Sequence, residues 1–162
     1  MQIDAKNARL LIDTNVWVGY FTRDERTCRA CEELLETAIA HDVTLLVSPT
    51  TLKDVFYLIP RCFRRQDMAE GKPAGTYVPA AWGCLEFMLE IATPSPISLA
   101  ECSMARAFKK RFGDFEDSLI LASGETAGAD YIVTYDKPLL QAFPEIFVTP
   151  ERAIELLDIA LS

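Results

Sequence analysis

The stretch Arg9-Leu-Leu-Ile-Asp-Thr-Asn15 joins a short apolar run to an aspartate, a threonine and an asparagine. An apolar run of this length that stops at polar residues is typical of a buried strand. Three later stretches repeat the pattern. They are Thr44-Leu-Leu-Val47 before Ser48-Pro49, Tyr131-Ile-Val133 before Thr134-Tyr-Asp136, and Ile146-Phe-Val148 before Thr149-Pro150. The sequence therefore predicts four short strands with polar residues at their carboxyl ends.

Helical patterns separate these strands. Apolar residues recur at three- and four-residue spacing over Cys28–Ile39, and glutamates occupy the opposite face. Ser48-Pro49 predicts the start of a second helix, which Pro60 should end or kink, and a third helix runs through Trp82. A capping box at Ser98 and Glu101 starts a fourth helix. A fifth helix starts at the cap Asp114 and stops at Gly128, and the last helix starts at Pro150. Alternating strands and helices predict an α/β fold, a three-layer α/β/α sandwich around a short, mainly parallel sheet.

Length, charge and cysteine count narrow the class of protein. With 162 residues, the chain can bury one core without disulfides, so we expect a single domain over 1–162, with a mobile flap at about 61–77. The net charge of −8 argues against a protein that coats nucleic acid nonspecifically. Five cysteines, an odd number, favour reduced thiols, and no secretion signal or membrane-spanning run is evident, so we expect a cytoplasmic protein.

Four aspartates have positions that suit a shared site. Asp13 and Asp136 follow the first and third predicted strands, while Asp54 and Asp117 lie near the starts of predicted helices. In open parallel sheets, ligands bind beyond the carboxyl ends of the strands. Each aspartate taken alone fits a loop, a cap or a solvated position. Four carboxylates that converge would repel one another unless cations lie between them, and hard ions such as Mg²⁺ or Mn²⁺ suit oxygen ligands.

Four segments in this order resemble the acidic motifs of PIN domains, including VapC-type toxins. They are Leu11-Ile-Asp13-Thr-Asn-Val-Trp17, Ser48-Pro-Thr-Thr-Leu-Lys-Asp54, Phe115-Glu-Asp117-Ser-Leu-Ile-Leu-Ala122 and Gly128-Ala-Asp-Tyr-Ile-Val-Thr-Tyr-Asp136. The resemblance implies a PIN-like fold and catalytic carboxylates at Asp13, Asp54, Asp117 and Asp136. It implies that Asp13, Asp117 and Asp136 bind Mg²⁺ or Mn²⁺ for the cleavage of RNA. It also implies a small antitoxin protein as partner.

The chain departs from this family at one motif position. The second motif usually carries glutamate, whereas here the matching residue is Asp54, which is one methylene shorter. We therefore expect Asp54 to contact the metal through water. The resemblance also keeps open a second function, a catalytically weak or inactive PIN-fold module that binds RNA or assembles with partners.

Other residues could support such a site. Thr14, Asn15, Ser48 and Asp114 neighbour the aspartates and could orient carboxylates or water molecules, although each also suits a turn or a helix cap. A basic group downstream of the second motif could contact RNA phosphates, or could simply be a solvated helix end. Its members are Lys53, Arg61, Arg64 and Arg65.

Several alternative chemistries have less support from the residues present. His41 is the only histidine, which makes a Ser-His-Asp triad improbable. Cys28 and Cys31 match C-x-x-C, but both lie on the apolar stripe of their predicted helix, which favours core packing over redox or zinc chemistry. The stripe of Trp82, Leu85 and Met88 suits core or a homodimer surface. An aspartyl-phosphate enzyme would also place an aspartate after a parallel strand, but Asn15 stands where the second aspartate of haloacid-dehalogenase-like phosphatases is usual.

Overall fold

In the computed structural model, five parallel strands form one sheet in the order β3-β2-β1-β4-β5. The structure describes residues 7–73, 75–111 and 113–161. The strands are β1 (Arg9–Ile12), β2 (Thr44–Val47), β3 (Ala92–Pro94), β4 (Tyr131–Val133) and β5 (Phe147–Val148). The helices are α1 (Thr14–Thr22), α2 (Cys28–Ala40), α3 (Pro49–Ala69), α4 (Val78–Ile91), α5 (Leu99–Phe108), α6 (Phe115–Thr126), α7 (Lys137–Ala142) and α8 (Pro150–Leu161).

The central strand β1 shows why both faces of the sheet are covered. Leu10 and Ile12 pack with α1, α2 and α8 in one apolar core, whereas Leu11 packs with α6 and α7 in a second. Successive residues of a strand point to opposite faces, yet all three side chains are fully buried. Helices therefore cover both faces of the parallel sheet, and the predicted α/β/α sandwich is confirmed.

Local sequence signals set many of the element ends. Ser48 caps α3, Ser98 and Glu101 form the capping box of α5, and Asp114 caps α6. Gly128 follows the end of α6 with φ +65°, a left-handed conformation that glycine adopts without a Cβ penalty. The four strands expected from the apolar runs are all present.

The structure corrects the expected end of α3. The helix continues through Pro60 to Ala69, so residues 61–69 of the expected flap are helical. Tertiary contacts offset the backbone hydrogen bond that the proline removes: Gln66 Nε2 donates to the carbonyl of Thr22 at 2.9 Å, and Phe63 packs against Tyr77. Within the expected flap, irregular backbone is left only at 70–73 and 75–77. Residues 1–6, 74, 112 and 162 of the expected domain lie outside the described residues.

Three elements were not expected from the sequence. Helices α1 and α7 begin directly after Asp13 and Asp136, whose carboxylates accept hydrogen bonds from the backbone of the first turn. Strand β3 includes Pro94, a residue that disfavours a strand interior but is tolerated at a sheet edge. No helix within 7–73, 75–111 or 113–161 is long and apolar enough to cross a membrane.

Candidate active site

All four predicted aspartates line one cleft of about 630 Å³ at the carboxyl edge of the sheet. Asp13 follows the central strand β1, and Asp136 follows the neighbouring strand β4. In the sheet, β2 and β3 lie on one side of β1, and β4 and β5, which come later in the chain, lie on the other side. The cleft therefore opens where open α/β sheets usually bind ligands, beside the strands at which the order reverses. Asp54 on α3 and Asp117 on α6 form its walls.

Asp13 lies at the base of this cleft and is held by three donors. Its Oδ1 accepts from the backbone N–H of Thr14 at 2.7 Å. Its Oδ2 accepts from Asn15 Nδ2 at 2.8 Å and from Thr134 Oγ1 at 2.7 Å. Burial raises the pKa of Asp13, and the three hydrogen bonds oppose that rise. The carboxylate is thus oriented by its neighbours but poorly solvated.

Thr134 is a site residue that the sequence interpretation missed. Its buried hydroxyl donates to Asp13 and accepts from Asn15 Nδ2 at 2.8 Å and from the backbone N–H of Asp136 at 3.0 Å. Asn15 Oδ1 also accepts from the backbone N–H of Tyr135 at 2.9 Å. This network connects the ends of β1 and β4 and fixes Asp13 relative to Asp136. A threonine at a predicted strand end, two residues before an aspartate, was the available signal.

Asp117 is the most perturbed carboxyl group of the cleft. Burial, followed by repulsion from Asp114, Asp136 and Asp13, raises the pKa of Asp117 to about 7. Among the described residues, no side chain donates a hydrogen bond to the Asp117 carboxylate. The cleft therefore holds negative charge that its own hydrogen bonds do not balance.

The chemistry of the donors fits a hard divalent cation. Asp13, Asp117 and Asp136 offer carboxylate oxygens, the ligands that Mg²⁺ and Mn²⁺ prefer, and no histidine lines the cleft. Within the described ranges, no group of three or more His, Cys, Asp or Glu side chains is arranged to hold a metal ion by itself. Mg²⁺ usually binds one or two carboxylates and keeps several water molecules, so it does not require a closed protein cage.

The residues expected to support the aspartates occupy different places. Thr14 and Asn15 line the cleft and bind Asp13. Ser48 is buried at the start of α3, where its hydroxyl accepts from the backbone N–H of Thr50, and it does not line the cleft. Asp114 also lies outside the lining, where it caps α6 and acts on Asp117 through charge repulsion.

The basic residues expected to contact RNA do not line this cleft. Arg61, Arg64 and Arg65 are exposed on the second half of α3. Lys53 pairs with two acidic residues, Asp54 at 3.0 Å and Glu116 at 3.2 Å. The cleft lining instead includes Asp24 and Arg26, which belong to no motif, and Glu116, which lies inside the third motif but was not singled out.

Cys31 lies in the apolar core, as its place on the helix stripe predicts, whereas Cys28 is only partly buried and is not part of that core. The thiol of Cys31 is buried, and burial raises its pKa to about 12, which disfavours thiolate chemistry. His41 is the exposed C-cap residue of α2 and does not line the cleft.

Structures of three other proteins have a similar fold. PAE2754 from Pyrobaculum aerophilum is 16% identical, with a TM-score of 0.61 over 94% of this chain and 90% of that chain. VapBC2 from Rickettsia felis, bound to a promoter DNA fragment, is 15% identical, with a TM-score of 0.58 over 87% and 98%. VapBC-1 from nontypeable Haemophilus influenzae is 13% identical, with a TM-score of 0.56 over 88% and 98%.

Sequence comparison adds a family to this likeness of fold. No curated protein matches the chain. A family model for the PIN domain matches residues 9–138, a range that contains Asp13, Asp54, Asp117 and Asp136. The chain therefore belongs to the PIN-domain family.

Proposed function

We propose that this protein is a Mg²⁺- or Mn²⁺-dependent endoribonuclease and the toxin of a toxin–antitoxin pair, with residues 1–162 acting as one PIN domain. The observation that carries the proposal is the convergence of Asp13, Asp54, Asp117 and Asp136, from four separate motifs, on one cleft. Bound divalent ions in such a site lower the pKa of water and stabilise charge on the phosphodiester oxygens. Hydrolysis by this route requires no side-chain base.

The chain's own residues would have distinct roles in this reaction. Asp13, Asp117 and Asp136 would hold the ion, and Thr134, Asn15 and the backbone of Thr14 would keep Asp13 oriented toward it. Arg26, a basic residue of the cleft lining, could contact an RNA phosphate. The intact hydrogen-bond network favours an enzyme over a module with a decayed site.

The proposal includes two protein partners. Two of the similar structures are named as VapBC complexes, which supports a small antitoxin as one partner. The second partner is another copy of the chain, and exposed apolar residues of α3 and α4 support such a homodimer. Tyr57 and Trp82 are 60% and 55% exposed, whereas Met88 of the expected stripe is fully buried.

A cleavage assay tests the proposed activity. The purified chain should cut single-stranded RNA in the presence of Mg²⁺ or Mn²⁺ and leave 3′-hydroxyl and 5′-phosphate ends, and EDTA should stop the reaction. Gel analysis of end-labelled RNA measures both the rate and the ends. Cleavage that continues at an undiminished rate in EDTA would contradict the metal-dependent mechanism, and failure to cut any RNA would favour the binding-module alternative.

Substitutions at Asp54 test the position at which the chain departs from its family. Asp54→Glu should preserve or raise activity at limiting Mg²⁺, because the longer side chain reaches further into the cleft. Asp54→Ala should weaken apparent metal affinity by about 10–100-fold, the usual loss when a residue that acts on the metal through water is removed. Titration of Mg²⁺ against the cleavage rate compares the three proteins. If Asp54→Ala matches the parent at every concentration, Asp54 has no role in metal binding.

A further inference from the structure

One lysine is bound between two carboxylates of the cleft walls. Lys53 Nζ lies 3.0 Å from Asp54 Oδ1 and 3.2 Å from Glu116 Oε1. Asp54 belongs to α3 and Glu116 to α6, so the ammonium group joins opposite walls of the cleft. Both acidic side chains line the cleft, and Lys53 itself does not.

The stability gained from this contact is small, so its role is more electrostatic than structural. Lys53 and Glu116 have side chains that are about half exposed, and surface ion pairs of this kind contribute little to folding. However, a single ammonium that contacts two carboxylates places a positive charge where their oxygens converge. Asp54 and Glu116 are thereby neutralised in part, while Asp117 remains strongly perturbed.

Asp54 and Glu116 together offer two carboxylates to a single cation. Mg²⁺ and Mn²⁺ bind readily to one or two carboxylates when water completes the shell. The Lys53 ammonium already occupies that position and repels a second cation. In the structure Lys53 Nζ contacts both carboxylates, so its positive charge lies beside the cleft lining at this point.

We propose that Lys53 is a positioning residue that fills the cation position between Asp54 and Glu116, and so restricts divalent metal to the end of the cleft formed by Asp13, Asp117 and Asp136. The inference rests on the proposed function of this cleft and addresses how many ions the cleft holds. It predicts that removing the ammonium opens one additional metal position.

Counting bound Mn²⁺ tests this inference. Titration of the whole protein with Mn²⁺, followed by the electron paramagnetic resonance signal of the free ion, measures the number of ions bound per chain. Lys53→Met should bind one more ion than the parent. Lys53→Arg should match the parent because it restores the charge, and the double variant Lys53→Met with Glu116→Gln should also match it. Lys110→Met removes an exposed lysine outside the cleft and serves as the control for net charge.

Two results would overturn the inference: a Lys53→Met protein that binds the same number of ions as the parent, or an extra ion that persists in the double variant. RNA cleavage by the same preparations separates this failure from failure of the proposed function. Metal-dependent cleavage by the parent with an unchanged count in Lys53→Met rejects the inference alone. A gain of one ion in Lys53→Met with no cleavage by the parent rejects the proposed nuclease alone.

Discussion

Replacing Asp13 with asparagine should slow RNA cleavage by more than about 100-fold, because loss of a direct ligand should exceed the 10–100-fold typical of residues behind the ligands. The amide removes the negative charge at the base of the cleft. It also replaces one carboxylate oxygen with an N–H donor. Because all three neighbours of Asp13 donate to its carboxylate, this new donor faces another donor. Single-turnover cleavage of end-labelled RNA at saturating Mg²⁺ measures the effect.

The same variant should fold normally and melt within a few degrees of the parent. Relief of a buried charge favours the variant, whereas each buried donor left without an acceptor costs roughly 1–3 kcal/mol. Glu33→Gln removes one exposed carboxylate from α2 outside the cleft and should retain full activity. An Asp13→Asn protein that cleaves RNA at the parental rate would refute the assignment of this cleft. A large drop in melting temperature would instead show that Asp13 acts mainly as a structural acceptor.

Replacing Asp117 with asparagine should stabilise the metal-free protein above neutral pH. The pKa of Asp117 is about 7 in the folded protein and 3.8 for an unperturbed aspartate. Between these values the folded protein binds more protons than the unfolded chain, so stability falls as pH rises. At pH 8 the full cost of the buried charge is present, and Asp117→Asn removes it. After allowance for solvent screening, we expect the substitution to raise the free energy of unfolding at pH 8 by at least about 1 kcal/mol. This gain corresponds to a rise of roughly 2–4 °C in melting temperature.

Thermal melts in EDTA between pH 5 and pH 8 measure this dependence. The parent should lose stability across that range, and Asp117→Asn should lose less. Glu125→Gln, at an exposed position on the same helix outside the cleft, should follow the parent. Equal pH slopes in the parent and Asp117→Asn would contradict the raised pKa. Mn²⁺ should bind the parent less tightly at pH 5.5 than at pH 8, because protons compete for the same carboxylate.

Short-range patterns explain how much of the fold the sequence predicted. Apolar runs of three or four residues marked four of the five strands, and Ser48, Ser98 and Asp114 marked helix starts, because caps act on the backbone within one turn. Helix α1 was missed because Asp13-Thr14-Asn15 suits a loop as well as a helix start. The extension of α3 beyond Pro60 was missed because contacts with Thr22 and Tyr77 come from other parts of the chain.

The candidate site, like the fold, could be predicted from the sequence only in part. Residue type and strand position identified Asp13, Asp54, Asp117 and Asp136, which the structure brings to one cleft. Neither type nor position indicated that Asp24 and Arg26 line it, since they belong to no motif, and Glu116 was passed over beside Asp117 in the third motif. The pairing of Lys53 with Glu116 spans 63 positions in sequence, and adjacency in the chain suggested an RNA contact instead.

The sequence by itself determined the alternation of strands and helices, the acidic residues that end the strands, and the family, because each depends on residue type and local spacing. Tertiary structure alone decided the order β3-β2-β1-β4-β5, which places the end of β1 beside the end of β4. That neighbourhood lets Thr134 bind Asp13 across 121 positions. The folded chain also buries Asp117 and places it near Asp114, Asp136 and Asp13, and burial and repulsion together raise its pKa. Hydrogen bonds and charge repulsion act over a few ångströms of space, and only the folded chain sets those distances.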